Sequence, residues 1–331
     1  MRKTVHLCLS SHDEIMYRSE ADLNMGFNCL ALAALETESR LLAEGFMTTH
    51  CHCLVQTDDF REVMRRSRYA YARYFNAKYG RAGQLGEKHY FNLEIEGLHH
   101  TTAALNYVLR QGLHHGLAST PFEYPHCSAN AFFRKELGKT NAPSLLPDYQ
   151  RYLYLPRNKS LPADTYRMTA GGLLLREDIL DTAYVEETYV SPRNFLFQMN
   201  KLSSDRDSDD QRQENSTPPV TVDCIESGVP DFDTRQAKAF EQGRVDHNRM
   251  TDLELCSLVD CRIVPQFLQR GQTVSIDRSV SIYMLSESQR ARICEVLWQE
   301  CRLSRRTHDV QGFLAGKYVT EAQLRRCLCV R

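Results

Sequence analysis

The sequence predicts an α+β fold for its first 135 residues, because strand-like and helix-like stretches alternate along them. The stretches expected as strands are Thr4 to Ser10, the run through His50, and Tyr90 to Ile95. Those expected as helices are Ala21 to Glu44, Phe60 to Lys78, and Leu98 to Arg110. The connections leave little room for a long parallel sheet, so this order favours a small layered fold of the ferredoxin-like type.

Glycines mark the expected ends of the helices. Apolar residues from Leu23 to Leu41 recur at helical spacing, which predicts that the first helix continues to Gly45. The second helix is expected to stop before Gly80 and the third near Gly112.

Composition points to a globular chain. Its 331 residues exceed one average domain and 42% of them are hydrophobic, so two domains are expected. No apolar run approaches the ~20 residues of a membrane span, and Met1 to His6 runs on without the apolar core of a secretory signal. We therefore expect a cytoplasmic protein with no membrane partner.

The twelve cysteines form no Cys-x-x-Cys pair, which favours buried reduced thiols over a zinc finger.

The chain divides into four predicted parts. They are an α+β domain (1–135), a wrapping or connecting segment (136–202), a polar linker (203–219) and a mainly α-helical C-terminal domain (220–331). Capping-box patterns beginning at Thr251, Ser286 and Thr320 predict helices in the last part. A helix-turn-helix and an ordinary helical packing unit both stay open for it.

Basic residues cluster although the net charge is only −1. Residues 60–90 contain eight Lys or Arg against two Glu, and residues 302–331 contain seven against two acidic residues. Local basic faces attract phosphate backbones through counterion release. In the first cluster arginines alternate with tyrosines, which can stack on the bases of a single strand. A solvated helix face with its tyrosines packed inward is the plainer alternative.

A His-Cys-His triplet lies in the second strand-like run. Alternate side chains of a strand share a face, so His50 and His52 are expected on one side and Cys51 on the other. Two imidazoles on one face can chelate a divalent cation. Taken alone, such a triplet is more often an ordinary edge strand.

The third predicted helix carries Tyr107 four residues before Gln111, which places both side chains on one helix face. A phenol has a reference pKa of ~10, so its attack on a phosphodiester needs positioning and a cation on the scissile phosphate. His50, His52 and Gln111 would suit Mg²⁺ or Mn²⁺. The plainer explanation of a helical tyrosine is amphipathic packing.

The ordered combination of motifs resembles a known family. After His-Cys-His come a basic helix ending Tyr-Phe-Asn-x-x-Tyr-Gly-Arg-x-Gly (74–83) and then Asn-Tyr-Val-Leu-Arg-Gln-Gly-Leu-His-His-Gly-Leu (106–117). Over about residues 1–135 the chain resembles the single-tyrosine HUH transposases, and within them the REP-associated tyrosine transposases. In that family the strand motif is His-hydrophobic-His and the later motif is roughly Tyr-Ile-x-x-Asn-Pro-Val-x-x-Gly.

The resemblance implies a ferredoxin-like, or RRM-like, nuclease domain with an antiparallel sheet. It implies that His50, His52 and Gln111 hold the divalent metal. Tyr107 would be the nucleophile that cleaves DNA through a 5′-phosphotyrosine and leaves a 3′-hydroxyl for rejoining. Gly116 falls on the trailing glycine of the family motif.

Two positions depart from the family pattern. Gly112 stands where the family usually has proline, and Cys51 occupies the hydrophobic position of the strand motif. Neither change removes a chemical group from the implied site, because cysteine packs as a small hydrophobe and glycine also ends helices.

The implied substrate is single-stranded DNA, often beside an imperfect palindrome folded as a hairpin. The residues expected to bind it are Arg65, Arg66, Arg68, Tyr69, Arg73, Tyr74 and Arg110. Related enzymes act as monomers or homodimers, and both stay open here. The DNA target sequence and the role of the C-terminal extension are open as well.

Three functions compete at this point. The first is an endonuclease and strand transferase (a transposase) acting next to DNA hairpins. The second is a domesticated DNA-hairpin-binding or regulatory protein that no longer cleaves. The third is a hydrolytic metalloenzyme unrelated to DNA, which would want a His or carboxylate as third ligand and a general base nearby; neither stands at the expected spacing. Four intact site residues favour the first.

Overall fold

The computed structural model describes residues 2–11, 15–114, 117–118, 120–139, 143–147, 150, 155, 166–200, 259–267, 285–286, 289 and 293. The strands are β1 (Lys3–Ser10), β2 (Arg40–Phe46), β3 (His50–Thr57) and β4 (Phe91–Ile95). The long helices are α1 (Glu20–Glu36), α2 (Phe60–Tyr79) and α3 (Gly97–Leu109). Shorter helices are α4 (Gln111–His114), α5 (Arg176–Ile179), α6 (Thr182–Tyr189) and α7 (Pro192–Asn200). Single helical turns occupy Ser128–Ala131, Val259–Ile263 and Val264–Phe267.

The four strands form one antiparallel sheet in the order β2-β3-β1-β4. Strands β1 and β3 are central, and the elements follow one another as β-α-β-β-α-β, the ferredoxin-like order. The predicted α+β class is therefore confirmed for this part of the chain. The register places Cys8 and Gly45 on either side of His52.

Helices cover both faces of the sheet. Cys51 and Cys53 line a small cavity together with Met64 and Tyr71 of α2, so α2 packs on the cysteine face. Helix α1 packs along α2 in the same layer. Because strand side chains alternate, the histidines of β3 point to the opposite face, where α3 packs.

The prediction of a first helix reaching Gly45 is wrong. Helix α1 ends at Glu36, where Thr37 caps it by hydrogen bonding to Ala33 through both its amide and its hydroxyl. Glu38 then adopts a positive φ of 51°, which turns the chain back towards the sheet. The following residues pair with β3 as strand β2, because this pairing buries their side chains beside the core.

The segment after α4 covers the outer edge of β2. The amide of Phe46 donates to the carbonyl of His126, and the hydroxyl of Ser128 bonds to both backbone groups of Glu44. These bonds satisfy an edge that would otherwise present unpaired backbone groups. The buried ion pair between Glu44 and Arg176 of α5, 2.6 Å long, ties residues from beyond position 166 to the same strand.

The C-terminal half is described only in short stretches. Ser286 and Gln289 form the predicted capping box, with the side chain of each accepting from the other's amide at 3.3 and 2.9 Å. The capping boxes at Thr251 and Thr320 and the linker at 203–219 lie outside the described residues. The four-part domain division stays a prediction. Within the part of the chain that the structure describes, no helix is long and apolar enough to cross a membrane.

Candidate active site

The histidine face of the sheet brings together the residues that the sequence singled out. The rings of His50 and His52 lie 5.1 Å apart between centroids, and the ring of Tyr107 stands perpendicular to His52, also at 5.1 Å. Strand β3 supplies the pair through its two-residue period, and α3 crosses this face and supplies the phenol. The three side chains lie together, as the sequence predicts. Their roles stay predictions.

A third histidine, which sequence reasoning missed, belongs to this cluster. His6 of β1 has its Nε2 atom 3.1 Å from Nδ1 of His52. Its ring also contacts Tyr107 and Phe91 edge-on, at 5.9 and 5.6 Å between centroids. His6 and Cys8 alternate along β1 as His50 and His52 do along β3, but only the strand register shows that the two pairs share a face.

Gln111 does not continue the helix that carries Tyr107, contrary to the prediction. Helix α3 ends at Leu109 with Arg110 as its C-cap, and Gln111 opens the short helix α4. Gln111 still lies close, since its Nε2 atom donates to the carbonyl of Tyr107 at 3.2 Å. The helix is interrupted only at Arg110, so Gln111 still lies next to Tyr107, as expected of residues four apart in a helix.

Gly45 of β2 permits this close approach. A Cβ atom at this position would lie 2.8 Å from the carbonyl oxygen of Val108 and 3.2 Å from Cγ of Gln111. Gly45 pairs with His52, so Gln111 packs beside the histidine pair. The glycine that the sequence suggested as a helix end therefore serves as a contact point between β2 and the end of α3.

Gly112, the departure from the family pattern, also has a packing role. A Cβ there would lie 2.4 Å from Cβ of Tyr124, whose hydroxyl donates to the carbonyl of Phe46 at 2.7 Å. Gly112 thus allows the segment that covers the edge of β2 to press against α4. Gly116, which matches the family's trailing glycine, lies outside the described residues.

The cluster is deeply buried. His6, His50, His52 and Gln111 are inaccessible to solvent, and Tyr107 is 3% exposed. Burial lowers the pKa of His6 to about 3, so this ring is neutral at physiological pH. A molecule from solvent can reach the phenol only after part of the covering structure has moved.

The candidate metal-binding atoms on this face are of two kinds, imidazole nitrogens and a carboxamide oxygen. Within the described residues no three His, Cys, Asp or Glu side chains are grouped to hold a metal ion. The set at hand is two imidazoles and the carboxamide of Gln111, whose buried Oε1 accepts no hydrogen bond from the residues that the structure describes. A buried acceptor of this kind is unusual and is satisfied in most proteins by an ordered water, an ion or a ligand. His50, His52 and Gln111 are the donor residues on this face, and both ring nitrogens of His52 are engaged there, Nδ1 with His6 at 3.1 Å and Nε2 with Sγ of Cys8 at 3.8 Å, so a cation would have to displace the thiol contact.

The residues predicted to bind DNA fall into two groups. Arg65, Tyr69 and Arg73 lie exposed on one stripe of α2, and Arg61, which the prediction omitted, continues it at the same four-residue spacing. The guanidinium of Arg73 lies 5.7 Å from the ring centroid of Tyr69. We call Arg61, Arg65, Tyr69 and Arg73 the α2 stripe.

The other group is engaged inside the protein. Arg66 bonds to Glu36 and Glu62, Arg68 donates to the carbonyls of Glu87 and Lys88, and the Tyr74 hydroxyl bonds to buried Asp22. Arg110 is only 6% exposed, at the end of α3. The periodicity of α2 could have separated Arg66 and Tyr74 from the exposed residues, because positions 61, 65, 69 and 73 share a face and 66 and 74 do not.

The α2 stripe and the histidine cluster lie on opposite sides of the sheet. Helix α2 packs on the cysteine face, whereas Tyr107 contacts the histidine face. The basic helix that stands between the two motifs in sequence thus does not stand between them in space.

Comparisons with known proteins add one finding. No known family profile and no curated protein matches this chain. Among solved structures, one described as a REP-associated tyrosine transposase bound to a REP hairpin matches with 13% identity and a TM-score of 0.35. The match covers 43% of this chain and 82% of that chain. At these values the likeness establishes neither family membership nor activity.

Proposed function

We propose that this protein is a metal-dependent endonuclease and strand transferase acting on single-stranded DNA next to a hairpin, a transposase-like activity with Tyr107 as nucleophile. One observation carries the proposal most directly. The fold places the Tyr107 ring against His52, beside His50, on the face of the sheet that bears both histidines. A tyrosine that served only for packing would not need two imidazoles and a carboxamide around it.

The proposed cleavage is a transesterification at phosphorus, which needs no oxidant or reductant. The phenolic oxygen of Tyr107 forms a bond to phosphorus, and the bond from phosphorus to the 3′ oxygen of the preceding nucleotide breaks. The proton of the phenol ends on that oxygen, which leaves as a 3′-hydroxyl. The product is a 5′-phosphotyrosine, whose bond energy allows a later 3′-hydroxyl to reverse the step and join a new strand.

His50, His52 and Gln111 would hold Mg²⁺ or Mn²⁺ when the cation is bound. The cation would act as a Lewis acid on the scissile phosphate and as a template for the strand. The side chain of Gln111 also donates to the carbonyl of Tyr107, so the proposed ligand is held next to the proposed nucleophile.

The α2 stripe is the DNA-binding surface that we retain in the proposal. Arg61 and Arg73 offer phosphate contacts, and Arg65 would do so after leaving its ion pair with Glu62. Tyr69, which is 63% exposed, offers a ring on which a base can stack. Because the stripe lies on the other side of the sheet from Tyr107, it would hold DNA that flanks the cleavage point, such as a hairpin stem. Arg66, Arg68, Tyr74 and Arg110 are left out, since the protein itself uses or buries them.

A second function is favoured by a specific observation. All the cluster residues are buried, and His52 already meets His6 through Nδ1. A protein that binds hairpins through the α2 stripe and no longer cleaves could keep such a closed cluster as part of its core. This second function predicts hairpin binding without a covalent product.

The two functions separate in one experiment on the full-length chain. Labelled hairpin-flanked single strands are incubated with Mg²⁺ or Mn²⁺, and covalent protein–DNA adducts are scored on a denaturing gel. We expect an adduct with the wild type and with Tyr184→Phe, a tyrosine of α6 outside the cluster, but none with Tyr107→Phe. Binding without any adduct across a broad hairpin library would select the second function.

A further inference from the structure

The least expected contact of the cluster is the hydrogen bond between two histidines on neighbouring central strands. His6 Nε2 and His52 Nδ1 lie 3.1 Å apart, both residues being inaccessible to solvent. The rings are nearly parallel, at 14°, with centroids 5.1 Å apart. The nitrogen separation is shorter than the ~3.5–4.0 Å contact of stacked carbon atoms. The two rings therefore meet through nitrogen atoms at their edges.

A hydrogen bond between two neutral imidazoles fixes the tautomer of both. Each neutral ring has one N–H donor and one acceptor nitrogen, so only one of the two rings donates across the contact. If His6 donates, His52 carries its proton on Nε2 and has no nitrogen left to bind a cation. In the structure this Nε2 lies 3.8 Å from Sγ of Cys8. If His52 donates through Nδ1, Nε2 is the acceptor nitrogen, and a cation can bind it by displacing the Cys8 thiol.

We propose that His6 is a positioning residue that accepts the Nδ1–H of His52 and so holds His52 in the tautomer and orientation required of a metal ligand. This inference rests on the proposed function, in which His52 is a ligand. Metal-binding histidines commonly donate their second ring nitrogen to a fixed acceptor. Here that acceptor is another histidine, because the register puts His6 on the same face, two residues along β1 from Cys8, the partner of His52.

The surroundings of His6 suit this role. Tyr107 and Phe91 contact its ring edge-on, so its orientation is fixed by packing as well as by the hydrogen bond. Its other nitrogen, Nδ1, is buried without a hydrogen-bond partner among the described residues. With Nε2 as acceptor, the proton of His6 is on Nδ1, and this N–H has no acceptor among the described residues, a cost that the bond to His52 and the ring packing must offset.

The tautomer of His52 can be measured directly in the metal-free, full-length protein by long-range ¹H–¹⁵N NMR. We expect His52 protonated on Nδ1 in the wild type. In His6→Phe, which keeps an aromatic ring but removes the acceptor, we expect a mixture of tautomers. His6→Gln returns a carbonyl acceptor and should restore the wild-type pattern. A His52 protonated on Nε2 in the wild type overturns the proposal, whether or not the variants fold.

Binding of Mn²⁺ alone, followed by electron paramagnetic resonance without DNA, gives the second readout. Loss of a histidine's fixed acceptor typically weakens metal binding roughly 10- to 100-fold, and we expect this loss for His6→Phe with recovery in His6→Gln. His100→Phe is the matched control, a buried histidine of α3 whose Nε2 also lacks a partner among the described residues; its affinity should match the wild type. If His6→Phe and the wild type bind Mn²⁺ with equal affinity, His6 serves only in packing and the proposal is wrong. If the wild type binds no Mn²⁺, the metal role in the proposed function fails, and the NMR measurement alone decides the role of His6.

Discussion

At the residue scale, the position of Gln111 depends on the missing side chain of Gly45. A Cβ atom on residue 45 would meet a backbone oxygen of α3 at 2.8 Å, and backbone atoms cannot rotate away as a flexible side chain can. The neighbouring Gln111 atoms leave no alternative space, at 3.2 and 3.3 Å. One small residue on β2 therefore sets how closely the end of α3 approaches the histidine pair.

Substitution Gly45→Ala should push the end of α3 away from the sheet. We expect a loss of about 1–3 kcal/mol in the free energy of unfolding, the usual range for overpacking, together with weaker adduct formation. Denaturant unfolding and the gel assay measure the two effects. Gly171→Ala is the control, because its Cβ would meet only Thr169 Oγ1 at 3.9 Å. Equal stability of the two variants would show that the backbone at Gly45 has room to adjust.

At the scale of single elements, α3 is held in place by two later helices. The hydroxyl of Tyr189 at the end of α6 donates to Oδ1 of Asn106 at 2.8 Å, and Nδ2 of Asn106 donates to Gln198 of α7 at 3.2 Å. Asn106 directly precedes Tyr107, so residues beyond the first 135 help to fix the proposed nucleophile on the sheet.

The variant Asn106→Ala removes both hydrogen bonds and leaves the hydroxyl of buried Tyr189 and the side chain of half-buried Gln198 without this partner. We expect it to cost about 1–3 kcal/mol of stability and to slow adduct formation, whereas Tyr189→Phe removes only one of the bonds and should cost less. Thermal unfolding and single-turnover adduct rates give the comparison. An Asn106→Ala protein with wild-type rates would mean that α6 and α7 do not position α3.

Helix α2 yields a prediction about DNA binding. Removing Arg61 and Arg73 together should weaken hairpin binding and lower the slope of log affinity against log salt by roughly 0.9 for each phosphate contact to duplex DNA. Fluorescence anisotropy at several salt concentrations measures this slope. Arg66→Gln, at an arginine already bonded to Glu36 and Glu62, should leave the slope unchanged. If only Arg66→Gln lowers the slope, the α2 stripe is not the surface that binds DNA.

The sequence predicts the local features of these elements well and the non-local ones poorly. Alternation along β3 and helical spacing along α2 depend on near neighbours, so the shared face of His50 and His52 and the end of α2 at Gly80 could both be foreseen. Strand β2 was missed because its apolar residues also continue the helical period of α1. His6 was missed because its link to His52 depends on the register between β1 and β3.

At the scale of the whole molecule, buried histidines make stability depend on pH. Burial, and then the charge of Arg176, lower the pKa of His126 to about 4, from a usual value of 6.5. As the pH falls below about 6.5 the unfolded chain takes up a proton that the folded chain refuses. The stabilisation from the neutral ring is therefore complete above pH 6.5 and is lost as the pH falls towards 4.

His126→Gln should flatten the pH dependence of folding. The difference from wild type should reach about 1.4 kcal/mol per pH unit between pH 6.5 and 4, measured by urea unfolding at a series of pH values. Parallel stability curves for the two proteins over that range would contradict the assignment of this proton uptake to His126.

The most direct test of the central claim identifies the tyrosine that carries the DNA. Full-length protein is allowed to react with a hairpin-flanked single strand and Mn²⁺, the DNA is trimmed by nuclease, and peptides are sequenced by mass spectrometry. The proposed chemistry predicts a 5′-phosphonucleotide on Tyr107, the tyrosine that stands 5.1 Å from His52 between ring centroids. A nucleotide on any other of the 16 tyrosines, or on none, would contradict it.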